Sequence, residues 1–241
     1  MTRVTILEYT GRPDPWRAAN VLLFTKNTRL QMSLGLMSDI EAWSEDKKTE
    51  QLSLAANTNP GSHEFVDYTF LLANVTRAFT HQLVRTRTAS YAQQTQMILS
   101  VRGFTAGEGG LDGENLELYR ETMRTVARSY DLMLKNGAKV EDARGVLPTH
   151  IHTNLVVKMN MRTLGDFLRS RVSPRNMGEM ADVAREMRAA VLAVHPWAAL
   201  FLDRTSDRAA ADLDAEIGRC VSDPETRTRM LKLVDQMRVM S

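Results

Sequence analysis

Arginine, amide and hydroxyl side chains are concentrated in one stretch of the chain, residues 82–96. Arg85 and Arg87 flank a single residue at the point where a predicted helix gives way to an extended segment. Guanidinium groups pair well with phosphates and carboxylates, and glutamine and threonine can hydrogen-bond to the edge of a flat heterocycle. The stretch is therefore a candidate nucleotide-binding site. The alternative is a solvated helix end whose arginines complement the helix dipole.

Two other segments carry charge in a regular pattern. Residues 141–148 form a charged run that ends at a proline, which by itself is typical of a surface turn. In a helix that begins near Asn160, the side chains of Arg162, Asp166 and Arg169 are spaced i, i+4 and i+7 and share one face. Such a face is either a salt-bridged surface or part of a binding site.

Composition narrows the class of protein. The chain has 241 residues, and 31 Lys and Arg against 29 Asp and Glu leave a net charge of +2. This near-balance argues against a generic nucleic-acid binder. The longest mostly apolar stretch, residues 189–202, is interrupted by His195 and Pro196 and falls short of the ~20 residues that cross a bilayer. Because residues 1–16 also lack a long apolar core, we expect a cytoplasmic protein with no membrane partner.

Several well-known chemical motifs are absent. The sequence contains no G-x-G-x-x-G, no phosphate-binding G-x-x-x-x-G-K-[ST], no H-E-x-x-H and no G-x-S-x-G. The single cysteine, Cys220, excludes an intrachain disulfide and a multi-cysteine metal site. His150 and His152 would share a face only on a strand, and we interpret them as structural rather than as metal ligands.

The hydrophobic patterns predict an α/β (α+β) protein with more helix than strand. Strands are predicted at residues 4–9, 65–72 and 153–159, with an extended segment at 94–101. Helices are predicted at residues 37–56, 75–85 (capped by Asn74), 116–135, 161–169, 176–194 and 226–240. Residues 103–113 hold five of the 13 glycines and predict a mobile surface loop, which is either a lid within one domain or a domain boundary.

Taken together, the charged segments resemble the flavin-dependent thymidylate synthase family. Arg85-Thr86-Arg87, followed after seven residues by Thr95, is similar to the family's Arg-His-Arg motif and its serine. The other similar pieces are the lead-in helix at 75–84, Ala143-Arg144-x-Val-Leu-Pro, Asn160-x-Arg162-x-Leu-x-x-Phe-Leu-x-x-Arg171, and the Pro-Trp pair after His195. The likeness covers about residues 15–203. We expect one domain over 1–241, in which residues 204–241 form a helical extension.

The resemblance implies a fold, a reaction and an assembly. Family members have a central sheet flanked by helices and are homotetramers whose active sites form between subunits. They bind FAD, which NADPH reduces, and methylenetetrahydrofolate supplies the carbon that is placed on C5 of dUMP. No protein nucleophile attacks the pyrimidine, which agrees with the isolation of Cys220 from any histidine in sequence.

The resemblance also assigns roles to individual positions. Arg171 matches the arginine that binds the uracil edge and favours its ionised form, and it is the expected catalytic residue. Further substrate-binding positions are Gln82, Arg85, Gln93, Gln94, Thr95, Gln96 and Arg144, the last contributed by a neighbouring subunit. Cofactor-binding positions are Glu64, Arg85, Thr86, Arg87, Gln93, Asn160, Arg162, Asp166 and Arg175. No metal is expected.

Four departures from the family pattern point to a diverged paralogue. Thr86 replaces the motif histidine, Gln93 a common acidic or polar residue, Met97 an arginine on the nucleotide, and Arg175 a histidine near the flavin, whereas Thr95 keeps the hydroxyl of the motif serine. The chain is similar in kind to the UMP/dUMP C5-methylase of polyoxin-type nucleoside antibiotic biosynthesis. Accepting UMP requires space and a partner for the 2′-hydroxyl. The alternatives are a homologue that binds nucleotide or nucleic acid without catalysis and a hydroxymethylating paralogue.

Overall fold

The computed structural model describes residues 3–28, 30, 32–56, 58, 60–96, 107–171, 178–203 and 205–240. Within them, one sheet has the order β1-β2-β4-β3. The strands are β1 (Arg3–Tyr9), β2 (Asp67–Thr76), β3 (Ser90–Gln93) and β4 (His152–Asn160). β1 pairs antiparallel with β2, and β3 pairs antiparallel with β4. Alternate residues of β2 and β4 are buried, so one face of each strand contributes to the core.

Helices make up most of the remaining described residues. The α-helices are α1 (Pro15–Lys26), α2 (Leu34–Glu41), α3 (Glu45–Ala56), α4 (Arg77–Leu83), α5 (Gly113–Lys135), α6 (Val140–Ala143), α7 (Met161–Arg171), α8 (Glu179–Val194), α9 (Ala199–Leu202), α10 (Thr205–Cys220) and α11 (Pro224–Met240). Short 3-10 helices cover Pro60–Phe65, Arg144–Val146 and Pro196–Ala198. This mixture of many helices and a small sheet confirms the predicted mixed class with more helix than strand.

Two predicted helix boundaries are wrong. The predicted helix at 37–56 is two helices, because the Ser44 hydroxyl accepts a hydrogen bond from the Lys47 N–H (3.3 Å) and starts a new helix there. Asn74 does not cap α4. It lies inside β2 with a positive φ of 58°, and its N–H donates to Asn154 Oδ1 (3.0 Å). The cap is Thr76, whose hydroxyl accepts from the Phe79 N–H (3.0 Å).

The segment between β3 and α5 is described only in part. Strand β3 ends at Gln93, so the predicted extended segment at 94–101 is irregular over 94–96, and its remainder lies outside the described residues. Residues 103–106 of the glycine-rich segment also lie outside them. At its described end, the Gly107 N–H donates to His150 O (2.8 Å) and the Tyr119 hydroxyl donates to Gly107 O (2.7 Å). The proposed lid stays a prediction.

The chain divides into two compact units that are discontinuous in sequence. The sheet unit comprises Met1–Tyr9, Asp67–Met159 and Gly178–Ala190, and the helical unit comprises Thr10–Val66, Asn160–Met177 and Val191–Ser241. In the sheet unit, Tyr68 and Phe70 are fully buried on β2. In the helical unit, α1, α7 and α9 bury Leu22, Leu164 and Phe201. The single domain with an extension at 204–241 stays a prediction.

Candidate functional site

The predicted site residues are divided between the two units. The sheet unit holds Gln82, Arg85, Thr86, Arg87, Gln93, Gln94, Thr95, Gln96 and Arg144. The helical unit holds Glu64, Asn160, Arg162, Asp166 and Arg171. Arg175 and Met97 lie outside the described residues.

Helix α7 presents the charged face that its sequence spacing predicts. Asn160 Oδ1 accepts from the Thr163 N–H (2.9 Å) and caps the first turn. At the second residue of α7, Arg162 Nη1 pairs with Glu64 Oε1 at 2.6 Å. Asp166 Oδ1 pairs with Arg169 Nη2 at 2.6 Å. Both ion pairs are partly exposed and each contributes only about 0–1 kcal/mol to stability.

The charged face of α7 lines a cavity of about 240 Å³, here called the arginine cavity. Its walls include His63, Arg162, Asp166, Arg169 and Phe201. Arg169 is held there by a hydrogen bond from Nη1 to Phe201 O (2.9 Å). The predicted shared face of Arg162, Asp166 and Arg169 is confirmed, because all three reach one cavity.

His63 is a component of this cavity to which the sequence analysis assigned no role. Its side chain is 7% exposed, its ring meets Phe201 edge-on with centroids 4.7 Å apart, and Nε2 has no hydrogen-bond partner among the described residues. Burial, aided by the positive charges of Lys26, Arg169 and Arg162 and opposed by the charge of Asp166, lowers the pKa of His63 to about 4. The imidazole is therefore neutral at pH 7, and its Nε2 is a buried polar atom that makes no hydrogen bond to the described residues.

A second and larger cavity of about 1050 Å³, here called the aromatic cavity, lies in the same unit. Phe24 and Phe65 supply apolar walls, and Lys26 and Ser62 supply polar ones. Burial lowers the pKa of Lys26, and the buried Ser62 hydroxyl has no partner among the described residues. Thr58 lines both cavities. Sequence reasoning missed this site because α1 and the 3-10 helix Pro60–Phe65 are far apart in the chain and share no periodic signal.

In the sheet unit, the turn after α4 carries two exposed arginines. The Tyr91 hydroxyl lies 2.8 Å from Thr86 O and 2.9 Å from Leu83 O, which holds the turn against β3. Arg85 and Arg87 are exposed. No ion pair within the described residues involves either of them. Both guanidinium groups are therefore accessible to solvent.

Some amide groups of residues 82–96 already form hydrogen bonds within the protein. Gln93 Nε2 donates to Thr80 Oγ1 (3.1 Å), so this side chain has one donor engaged and its carbonyl oriented. The Gln94 N–H donates to Asn154 O (3.0 Å) on β4. Gln82 is exposed near the end of α4. Arg144 is exposed on the 3-10 helix Arg144–Val146, where Nε donates to Glu141 O (3.2 Å).

Among the described residues, the remaining reactive side chains form neither a metal site nor an activated thiolate. Among the described residues, no group of three or more His, Cys, Asp or Glu side chains is placed to hold a metal ion. The exposed Cys220 thiol donates to Glu216 Oε1 (3.2 Å), and this hydrogen bond raises the pKa of Cys220. An activated thiolate needs a lowered pKa.

None of the described helices combines the length and apolarity that a bilayer crossing requires.

Two buried histidines of the helical unit make stability depend on pH. Burial lowers the pKa of His63 and of His195 to about 4, whereas an unfolded histidine titrates near 6.5. Between these values the unfolded chain binds more protons, so the free energy of unfolding must decrease as the pH falls below about 6.5. Urea denaturation midpoints measured from about pH 7.5 to 5 should show this decrease. His63→Gln should make it shallower, and an unchanged slope in this variant would contradict the assignment.

Comparison with known proteins identifies the family. Residues 6–197 match the family model described as thymidylate synthase complementing protein, Thy1. The flavin-dependent thymidylate synthase of Clostridium tetani is 30% identical, over 80% of this chain and 84% of the relative. That of Pyrococcus abyssi is 30% identical, over 78% of each chain.

A solved structure shows the same fold at low sequence identity. It is the UMP/dUMP methylase PolB from Streptomyces cacaoi bound with 5-Br dUMP, with a TM-score of 0.67 over 82% of this chain and 93% of that one. The identity is 16%, so this similarity concerns the fold alone. The match over residues 6–197, together with relatives that align along most of their length, confirms the resemblance: the chain belongs to the flavin-dependent thymidylate synthase family.

Proposed function

We propose that the protein methylates C5 of a uracil nucleotide, dUMP or UMP. Methylenetetrahydrofolate is the carbon donor and NADPH-reduced FAD is the hydride donor. The observation that carries the proposal is the convergence of Arg162 and Asp166 on one cavity with the partnerless His63 Nε2. Two of the family's cofactor positions thus line the same cavity as a buried histidine whose Nε2 makes no hydrogen bond to the described residues.

The residues of the helical unit fit FAD. Arg162, Arg169 and Lys26 offer positive charge to a diphosphate, and the aromatic cavity offers apolar walls to a flat ring. Ser62 Oγ and His63 Nε2 are buried polar atoms without protein partners among the described residues, and such atoms normally find one. When bound, FAD supplies the hydride that completes the methyl group. Arg175 is proposed as a further cofactor contact.

The residues of the sheet unit fit a nucleoside monophosphate. The exposed guanidinium groups of Arg85 and Arg144 suit the phosphate, and the amides at Gln82 and 93–96 suit the base edge and the sugar. In the helical unit, Arg171 would place a cation at the uracil edge. Such a cation stabilises the base after loss of its ring N–H proton, and the deprotonated base carries more electron density at C5.

We further propose that the active unit is a homotetramer whose sites form between subunits. Each site would then receive Arg144 from a neighbouring copy of the chain. Thr86 and Met97 favour a diverged paralogue of nucleoside antibiotic biosynthesis over an enzyme of general thymidylate supply, because both change side chains at nucleotide and cofactor positions.

The decisive test is an assay of dUMP and UMP side by side with FAD, NADPH and methylenetetrahydrofolate, with the product read by mass. A methylated nucleotide supports the proposal. A hydroxymethylated product assigns the chain to the hydroxymethylating alternative. A flavin-binding protein with no turnover of either nucleotide supports the non-catalytic alternative. Purified protein that binds no flavin after FAD supplementation contradicts the proposal.

A further inference from the structure

Arg77, the first residue of α4, lies beside the segment that carries Arg144. The Arg77 N–H donates to Ile151 O (3.1 Å) and the Ala78 N–H donates to Thr149 O (2.8 Å). These bonds attach the first turn of α4 to the residues that follow the 3-10 helix Arg144–Val146. The positions of the two arginines are therefore set by backbone hydrogen bonds within the sheet unit.

The Arg77 side chain is half-buried, and only some of its N–H donors have hydrogen-bond acceptors. Nη2 donates to Gln94 O (2.9 Å), while Nε is buried and has no acceptor among the described residues. Burial lowers the pKa of Arg77, and the positive charge of Arg144 lowers it further. The charge of Arg144 thus disfavours the protonated form of Arg77.

In the described part of the chain, the Glu179 carboxylate lies beside the start of α4, where it accepts hydrogen bonds from the Thr76 N–H (2.8 Å) and the Thr76 hydroxyl. Neither Arg77 nor Arg144 takes part in an ion pair there. Two neighbouring cations, one of them half-buried with an unused donor, are unfavourable without a counter-ion. An anion with several acceptor oxygens would satisfy Nε and remove the repulsion, because guanidinium donors match the geometry of phosphate.

The nature of the anion follows from what lies next to Arg77. Gln94 is held at both backbone groups, since its N–H donates to Asn154 O and its carbonyl accepts from Arg77 Nη2. The exposed Thr95 side chain follows directly. A phosphate dianion balances the charge of two cations.

We propose that Arg77 is a further substrate-binding residue that, together with Arg144, binds the 5′-phosphate of the uracil nucleotide. This inference rests on the proposed function for the identity of the substrate. It predicts that Arg77 distinguishes a nucleotide from the nucleoside that lacks the phosphate. A merely structural role, holding Gln94 in place, would affect both ligands equally.

The test compares Arg77→Gln with the wild type, both loaded with FAD, by titration with dUMP and with deoxyuridine. Glutamine can still donate a hydrogen bond to Gln94 O but carries no charge. We expect the Kd for dUMP to rise about 10- to 100-fold, as for loss of a charge-assisted hydrogen bond. The Kd for deoxyuridine and the flavin content should stay the same. Arg124→Gln, which changes an exposed arginine of α5, is the matched control.

The possible outcomes separate this inference from the proposed function. An unchanged Kd for dUMP, or an equal loss for dUMP and deoxyuridine, overturns the role of Arg77. If the wild type binds neither ligand, the proposed function fails. The anion site is then judged by phosphorus NMR titration with inorganic phosphate, where weaker binding by Arg77→Gln than by the wild type and Arg124→Gln supports it. Equal binding of inorganic phosphate by all three proteins overturns it.

Discussion

Replacing Arg171 with alanine is expected to lower kcat/KM for uracil-nucleotide methylation by about two to three orders of magnitude. Removing one preorganised donor from a site of developing negative charge typically has an effect of this size. Arg171 is the last residue of α7, so truncation there should leave the helix and its charged face intact. The measurement is the rate of product formation by mass, beside circular dichroism and the flavin absorbance of the purified variant.

Arg185→Ala provides the matched control for this prediction. Arg185 is also a helical arginine, and it forms a partly exposed ion pair with Asp182 at 2.7 Å within α8. Its removal should leave turnover within about twofold of the wild type, since such pairs contribute little. A folded, flavin-containing Arg171→Ala protein with wild-type turnover would remove Arg171 from the mechanism.

Replacing Arg162 with glutamine is expected to weaken FAD binding by about 10- to 100-fold. The change removes a charged hydrogen-bond donor from the arginine cavity, and such a donor contributes about 1.5–3 kcal/mol. It also releases Glu64 from its 2.6 Å ion pair, which would leave an uncompensated carboxylate at the proposed diphosphate site. The measurement is the flavin-to-protein ratio after dialysis, followed by titration of the apoprotein with FAD.

The stability of the apoprotein separates a binding effect from a folding effect. Because the ion pair between Arg162 and Glu64 is nearly half exposed, the unfolding free energy of the apoprotein should change by less than about 1 kcal/mol. Arg219→Gln is the matched control, since Arg219 forms an ion pair of the same length with Glu216 on α10. Undiminished FAD affinity in Arg162→Gln would exclude the arginine cavity as a cofactor site.

Features that depend only on residues close together in the sequence could be predicted from it. The spacing of Arg162, Asp166 and Arg169 predicted a shared helical face, and the strand predicted at 153–159 corresponds to β4. The boundaries around Ser44 and Asn74 were not predicted. Ser44 competes with the helix through its own hydroxyl, and the conformation of Asn74 depends on Asn154, which is far away in the chain.

The binding features depend on long-range packing. His63 is ordinary in sequence and becomes a neutral, partnerless imidazole only because Phe201 and the face of α7 close around it. Arg77 lies within a helix that the sequence analysis had already singled out, yet its unsatisfied Nε depends on the burial and on the neighbouring charge of Arg144. Neither property has a signature within a few residues of the side chain concerned.

The amino-acid sequence by itself determined the mixed helical class, the register of α7 and membership of the family, because periodicity and motif order are properties of the chain alone. Only the tertiary structure decided which side chains share a cavity, which histidine stays neutral and which arginines lack a counter-charge. The physical reason is that burial and electrostatic interaction depend on distance in space. That distance is set by segments that are tens of residues apart along the chain.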